Sequence, residues 1–238
     1  MIARKHPSMF QISRICLVSV LCLAGCGEGE VDYFPLDSNR YWQYRIERTT
    51  MDGAVTQKYL LKALPAQILY ETDVVAKRTV DGHQYFYRRD ELGIHRIAHK
   101  LRDQPEIEAD MPAVLILPHE LQVGFSWEQR SVTSVLENSG PPWETLFRLI
   151  HPITLTYTIE SLDDVVAVKA GEFRHCLRVV ANGKATAEVG NYVGRADIRV
   201  HTIDWYAPNV GLVRSERHET SSAKPLGAGS VSLELESF

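Results

Sequence analysis

Cysteine is scarce in this chain. Four occur in 238 residues, and three of them, Cys16, Cys22 and Cys26, lie before residue 27. Cys176 is alone in the remainder, which excludes an internal disulfide there. Its neighbours Phe173, Leu177 and Val179 mark it as a packed, inert thiol, the usual state of a free cysteine. Acid is missing from the start, since no Asp or Glu precedes Glu28. A basic excess is missing from the rest. Beyond residue 25, 23 Lys and Arg face 30 Asp and Glu, a charge of −7, which argues against a nucleic-acid partner. No apolar run reaches the roughly 20 residues a membrane-spanning helix needs, and no helical period stands out beyond the first 25 residues. Signatures of chemistry are missing too. There is no Gly-x-Ser-x-Gly elbow, no Cys-x-x-Cys or His-Glu-x-x-His spacing, and no Gly-Lys-Ser/Thr after Gly190-Asn191-Tyr192-Val193-Gly194. His95 and His99 share one face of an expected strand, but roughly 13 Å apart, too far to hold one ion. His175, His201 and Asp204 form the one titratable set that adjoining strands could gather. The expectation is a chain without cofactor, metal or catalytic residues.

What is present begins with a leader. Arg4, Lys5 and Arg14 form a positive start, Ile15 to Leu23 is almost wholly apolar, and Ala24-Gly25 are small. That is the order of a secretory signal. Leu23-Ala24-Gly25-Cys26 resembles the lipobox of bacterial lipoproteins. The resemblance implies removal of residues 1–25 by the lipoprotein processing machinery. It also implies acylation of Cys26, with palmitate among the chains, and a membrane partner through that lipid. One chain binds a membrane marginally, whereas two or more anchor it. In Gram-negative members of this class an Asp after the cysteine favours the inner membrane. Gly27 stands there, which favours sorting to the outer membrane from the periplasm. Residues 26–32 then form a tether of about 20 Å at full stretch.

Residues 33–238 read as a single β domain. Tyr41 to Glu47 leads through Met51-Asp52-Gly53 to Ala54–Leu64. Val74 to Val80, Asp81-Gly82 and Gln84 to Arg89 follow, then Ile94 to Lys100. Asp-Gly between apolar runs is a strong hairpin signal. Leu101 to Met111 reads as a loop, Val114 to Leu117 as a buried strand stopped by Pro118, and Trp127 to Leu136 as a further strand. Leu146 to Ile159 is long, with an edge or bend implied by Pro152. Val165–Val168, Glu172–Val180, Ala196–Tyr206, Leu212–Glu219 and Val231–Leu235 complete the set. Many short strands with turn chemistry between them predict an all-β antiparallel open barrel or sandwich of about ten or more strands. A short helix within 64–72 or 101–111 is the expected exception. Asp163-Asp164 and the acids at Glu106 and Glu108 fall in turn-like sequence and read as solvated. Trp42, Trp127 and Trp205 read as core anchors and Trp143 as partly exposed. Charged stretches such as Arg88-Arg89-Asp90 and Arg214 to Glu219 interrupt any lipid-facing strand pattern.

Three patches resemble segments of uncharacterised bacterial lipoproteins. They are Tyr33-Phe34-Pro35-Leu36 leading to Asn39-Arg40-Tyr41-Trp42, Lys169 to Phe173 with Cys176-Leu177, and Trp205-Tyr206-Ala207-Pro208-Asn209-Val210-Gly211-Leu212-Val213. Those proteins look like relatives of the open β-barrels that carry lipoproteins across the periplasm, the LolA/LolB-like group. The resemblance implies a non-catalytic module with a hydrophobic or lipid-like ligand. The alternative is a structural or protein-interaction component of the envelope. The patches carry no chemistry and read first as turn instructions. Asn209 stands where those proteins usually have Gly, and Asn accepts a positive φ better than most residues.

Overall fold

The structure is a computed structural model describing residue 1 and residues 31–140, 145–190 and 194–238. Cys26 and the rest of the leader and tether up to Glu30 lie outside the described residues, as do Trp143 and most of the Gly190–Gly194 segment. Among the described residues the chain forms fifteen strands and no helix. They are β1 (Tyr41–Thr50), β2 (Gly53–Ala63), β3 (Gln67–Leu69), β4 (Thr72–Thr79) and β5 (Gln84–Asp90), then β6 (Gly93–Lys100), β7 (Glu108–Pro118) and β8 (Ser126–Val132). A small hairpin follows, β9 (Glu137–Gly140) with β10 (Thr145–Arg148). The long strands β11 (Pro152–Val168), β12 (Gly171–Glu188), β13 (Arg195–Ala207), β14 (Gly211–Ser221) and β15 (Ala228–Ser237) end the chain. Residues Val31–Phe238 make one compact unit.

Local chemistry explains most of the pairing. The Asp52-Gly53 and Asp81-Gly82 turns fold β1 onto β2 and link β4 to β5, as expected. At the turn between β13 and β14, Asn209 takes φ 59° and Gly211 φ 99°. This is the left-handed geometry that these two residues tolerate best. The result is one antiparallel sheet in the order β7-β6-β5-β4-β2-β1-β15-β14-β13-β12-β11-β8, with β3 beside β4. Pairing of β1 with β15 joins the chain's early and late halves. The sheet curls into a nearly closed barrel whose two edges are β7 and β8. Eleven antiparallel steps separate those edges, so β7 and β8 also run antiparallel to each other. They are sequence neighbours whose own ladder is not made.

Three expectations need correction. The proposed helices do not form. Residues 67–69 and 72–79 are strands around a turn in which Tyr70 and Glu71 both have positive φ, and β7 starts at Glu108, inside the expected loop. The run Trp127–Leu136 is not one strand, because the chain leaves the sheet after Val132. The run Leu146–Ile159 is likewise split, into β10 and β11, with Pro152 opening β11.

The break after Val132 closes one end of the barrel. Val135 and Leu136 are fully buried there, and Leu136 packs with Leu155, Ile198 and Leu226. A strand-like run can turn inward only if its freed backbone N–H groups find acceptors. Buried Glu219 supplies them. It accepts from the backbone N–H groups of Ser134 (2.9 Å) and Val135 (3.0 Å) and from Arg217 Nε (2.6 Å). Gly229 lets this plug approach, since a Cβ there would lie 2.2 Å from the Val135 carbonyl.

The opposite end is latched by the sequence patches. Asn209 N donates to the Asp32 carbonyl (2.7 Å), Arg40 Nη1 to the Asn209 carbonyl (2.7 Å) and Trp42 Nε1 to the Val210 carbonyl (2.7 Å). Tyr33 Oη donates to the His175 carbonyl (2.9 Å). Buried Cys176 packs with Trp42, Ala207 and Val213. Segments about 170 residues apart in the chain thus form one corner, and their recurring residues are explained by packing.

Candidate ligand-binding site

Side chains alternate along a strand, so every second residue of β13 points into the barrel. The row begins apolar and buried with Ala196, Ile198 and Val200, then turns polar with Thr202, Asp204 and Tyr206. Between the plugged and latched ends Asp204 and Tyr206 face a cavity of about 640 Å³. β7 lines it with Val114, Leu115 and Ile116, β8 with Gln129, Ser131 and Val132, and β11 with Pro152 and Tyr157. β6 contributes Arg96. Trp127 stacks on Tyr157 at 5.4 Å between ring centres. The size lies within the range of about 300–1,000 Å³ usual for ligand pockets. The seam between β7 and β8 leads into it, spanned by a hydrogen bond from Gln129 Nε2 to the Leu115 carbonyl (3.0 Å).

The charges around this cavity are unequally matched. Arg96 is held by Asp110 through Nε (2.7 Å) and Nη2 (3.3 Å), and His99 Nδ1 lies 3.0 Å from the same carboxylate. Arg217 donates to Glu219, to Ser131 Oγ (3.3 Å) and to the Val132 carbonyl (2.7 Å). Arg214 pairs with Glu216. Asp204 accepts from Ser215 Oγ (2.5 Å), and among the described residues no ion-pair partner reaches it. Protein surrounds it, yet part of its surface remains on the cavity. Burial pushes its carboxyl up to about 6, with the Ser215 hydroxyl and Arg217 acting the other way. Burial likewise pushes the Tyr157 phenol up to about 12 and raises that of Tyr206.

The set His175, His201 and Asp204 is dispersed. Asp204 points inward. His201 lies on the outer face with its Nδ1 2.8 Å from Asn182 Oδ1, in a groove shared with Lys184, Arg199 and His218. His175 is exposed near the latched end, its Nδ1 2.5 Å from Asp163 Oδ1. His95 and His99 turn to different carboxylates, Asp90 and Asp110. Among the described residues no three His, Cys, Asp or Glu side chains converge as a metal site. Asp164 is not solvated as expected. It accepts from Trp205 Nε1 (3.1 Å) and pairs with Arg178 (3.3 Å). Trp42 is buried, while Trp127 and Trp205 are half-buried. Burial raises the Cys176 thiol to about 11, consistent with an inert cysteine.

Sequence reading did not place Arg96, Gln129 or Tyr157 around one cavity with Asp204. They come from strands far apart in the chain, and only barrel closure brings them together. It also missed Lys77 on β4, which is 4% exposed with its Nζ 3.6 Å from the Phe34 ring centre and 4.4 Å from that of Trp42.

The fold and cavity together define an all-β barrel with a lateral opening and an amphipathic lumen. No protein-family model matches the chain, and no curated protein matches its sequence. Among solved structures it is similar to one from Bacteroides fragilis, provisionally described as an exported protein with a YmcC-like fold. The two share 15% identity over 87% of this chain and 98% of that one, with a TM-score of 0.40. It is also similar to a provisionally described lipoprotein from Parabacteroides distasonis, at 15% identity over 87% and 98% of the two chains and a TM-score of 0.36. Likeness at this level carries no functional argument.

Proposed function

We propose that this chain is a bacterial envelope lipoprotein, anchored at the outer membrane through lipid on Cys26, whose barrel binds a hydrophobic or lipid-like ligand without catalysis. The cavity of about 640 Å³ between β7, β8 and β13 carries the reading, because it has the volume usual for small-molecule sites and combines apolar walls with a few convergent polar groups. The lipobox-like Leu23 to Cys26 and the resemblance to lipoprotein carriers support it. The dispersal of His175, His201 and Asp204 removes the one catalytic set that sequence offered.

The interaction-protein alternative has one observation in its favour, the unpaired edges of β7 and β8, since a partner strand can add to such an edge. These edges run antiparallel to each other. One strand filling the gap would pair antiparallel with one edge and parallel with the other, the weaker geometry. Ligand entry uses the gap without that cost.

Native mass spectrometry of the protein extracted from its own membranes tests the reading. The expected result is acyl mass on Cys26 and a separate, non-covalent small-molecule adduct. Replacing Ile116 with Trp should fill the lumen and remove that adduct while leaving the Cys26 lipid. An adduct-free wild type, or an adduct indifferent to Ile116→Trp, overturns lumen binding.

A further inference from the structure

We infer that the lumen selects amphiphiles with a positively charged, hydrogen-bond-donating head, an alkylammonium group, seated on Asp204. This inference rests on the ligand-binding reading and adds the chemistry of the ligand. Buried carboxylates in proteins are normally paired or fully hydrogen-bonded. An ionised carboxylate has about four acceptor positions, and the hydrogen bond the structure gives Asp204 comes from Ser215 Oγ. The guanidinium groups nearest the cavity are committed elsewhere. Arg96 is chelated by Asp110, and Arg217 is tied to Glu219, Ser131 and Val132. Arg130 alternates outward from Gln129 and Ser131 and is exposed at the rim. Among the described residues, Asp204 is therefore a cavity-lining carboxylate without an ion-pair partner. Tyr157 and Tyr206 stand beside it, and both phenols sense its charge.

The walls fit the rest of such a molecule. Val114 and Ile116 offer an apolar path from the seam toward Asp204. A chain lying along them would place its head at the carboxylate. An anionic head in the same pose would meet Asp204 with like charge, and a neutral head would leave that charge unmatched.

Photo-crosslinking on the full chain in its own membranes tests this. Three decyl probes carry a diazirine at the chain end and an ammonium, hydroxyl or carboxylate head. Labelling of lumen peptides from β7 and β8 is read by mass spectrometry. In the wild type the ammonium probe should label them at least tenfold more than the carboxylate probe. Asp204→Asn should reduce that ratio to within about twofold. Enrichment of cations at an anionic membrane is common to both proteins and cancels in the comparison. Asparagine keeps the shape and an acceptor for Ser215, and hydroxyl-probe labelling of the variant reports an intact lumen. As a second measure free of any variant, decylammonium should displace the hydroxyl probe at a tenfold lower concentration than decanoate. Equal labelling by the two charged probes, or a ratio unchanged in Asp204→Asn, overturns the charge assignment alone. Failure of all three probes to label the lumen overturns the ligand-binding reading itself.

Discussion

Lys77 shows how one residue can hold a costly position. Its ammonium sits among the faces of Phe34, Trp42 and Tyr87, with Asp32 contributing from a distance. Burial pulls the amine down to about 7 from an ordinary 10.5, and Asp32 opposes that shift. The ring faces also favour the cation, by about 0.5–2 kcal/mol. In the range between the folded and unfolded values the unfolded chain binds more protons, so stability must rise with pH. Below about 7 both states hold the proton and the contribution is flat. The wild type should therefore gain about 1–2 kcal/mol between pH 7 and 9 relative to Lys77→Met, which has no charge to lose. Urea unfolding of both proteins at pH 6, 7 and 9 measures the difference. A difference that is constant across the three values would mean that Lys77 stays charged throughout.

At the scale of elements, the plug depends on a contact between segments about 85 residues apart. Glu219→Ala would leave the N–H groups of Ser134 and Val135 without their acceptor and Arg217 without its partner. Breaking a buried charge pair from one side costs about 3–5 kcal/mol, so denaturant unfolding should show a loss of that order. A loss below about 1 kcal/mol would mean that water or another group replaces the carboxylate. The same contact explains what sequence could and could not reveal. Hairpins at Asp52-Gly53, Asp81-Gly82 and Ala170-Gly171 were legible because their turn residues are local. The departure of the chain after Val132 was not, because Trp127 to Leu136 carries no break of its own. Its inward turn is dictated by Glu219 and by the space above Gly229. The missing helix near residue 70 has a comparable cause. Leu64 to Thr72 lacks a strong strand pattern, yet β4 is there to pair with β3 and the turn closes through Tyr70 and Glu71. For the site, Asp204 was legible only as one member of a titratable set with His175 and His201, which the fold disperses. Its surroundings were not, since β6, β8 and β11 meet β13 only in the closed barrel.

For the whole molecule, the latched corner begins at Asp32, six residues along the chain from the proposed anchor at Cys26. Asp32 is fixed to Asn209 in both directions, N to Oδ1 (3.2 Å) and carbonyl to N (2.7 Å). Only residues 27–31 separate it from Cys26, so an acylated Cys26 would hold this corner within about 20 Å of the lipid. The barrel wall is expected to take no part in that attachment. Charged residues on the strands, such as Arg45 paired with Glu234 and Arg178 paired with Glu160, would be costly against hydrocarbon. Retention should then depend on lipid alone. If residues 1–26 are replaced by an ordinary secretory leader cut before Gly27, the product should move from the membrane pellet to the soluble periplasmic fraction. Each buried methylene contributes about 0.8 kcal/mol to anchoring, so loss of the acyl chains should lower partitioning by orders of magnitude. Near-ultraviolet circular dichroism of the released protein should match the extracted one, because the buried clusters among the described residues are built from within Val31–Phe238. A product that stays in the pellet after a high-salt wash would instead place the barrel itself in contact with the bilayer and remove Cys26 as the anchor.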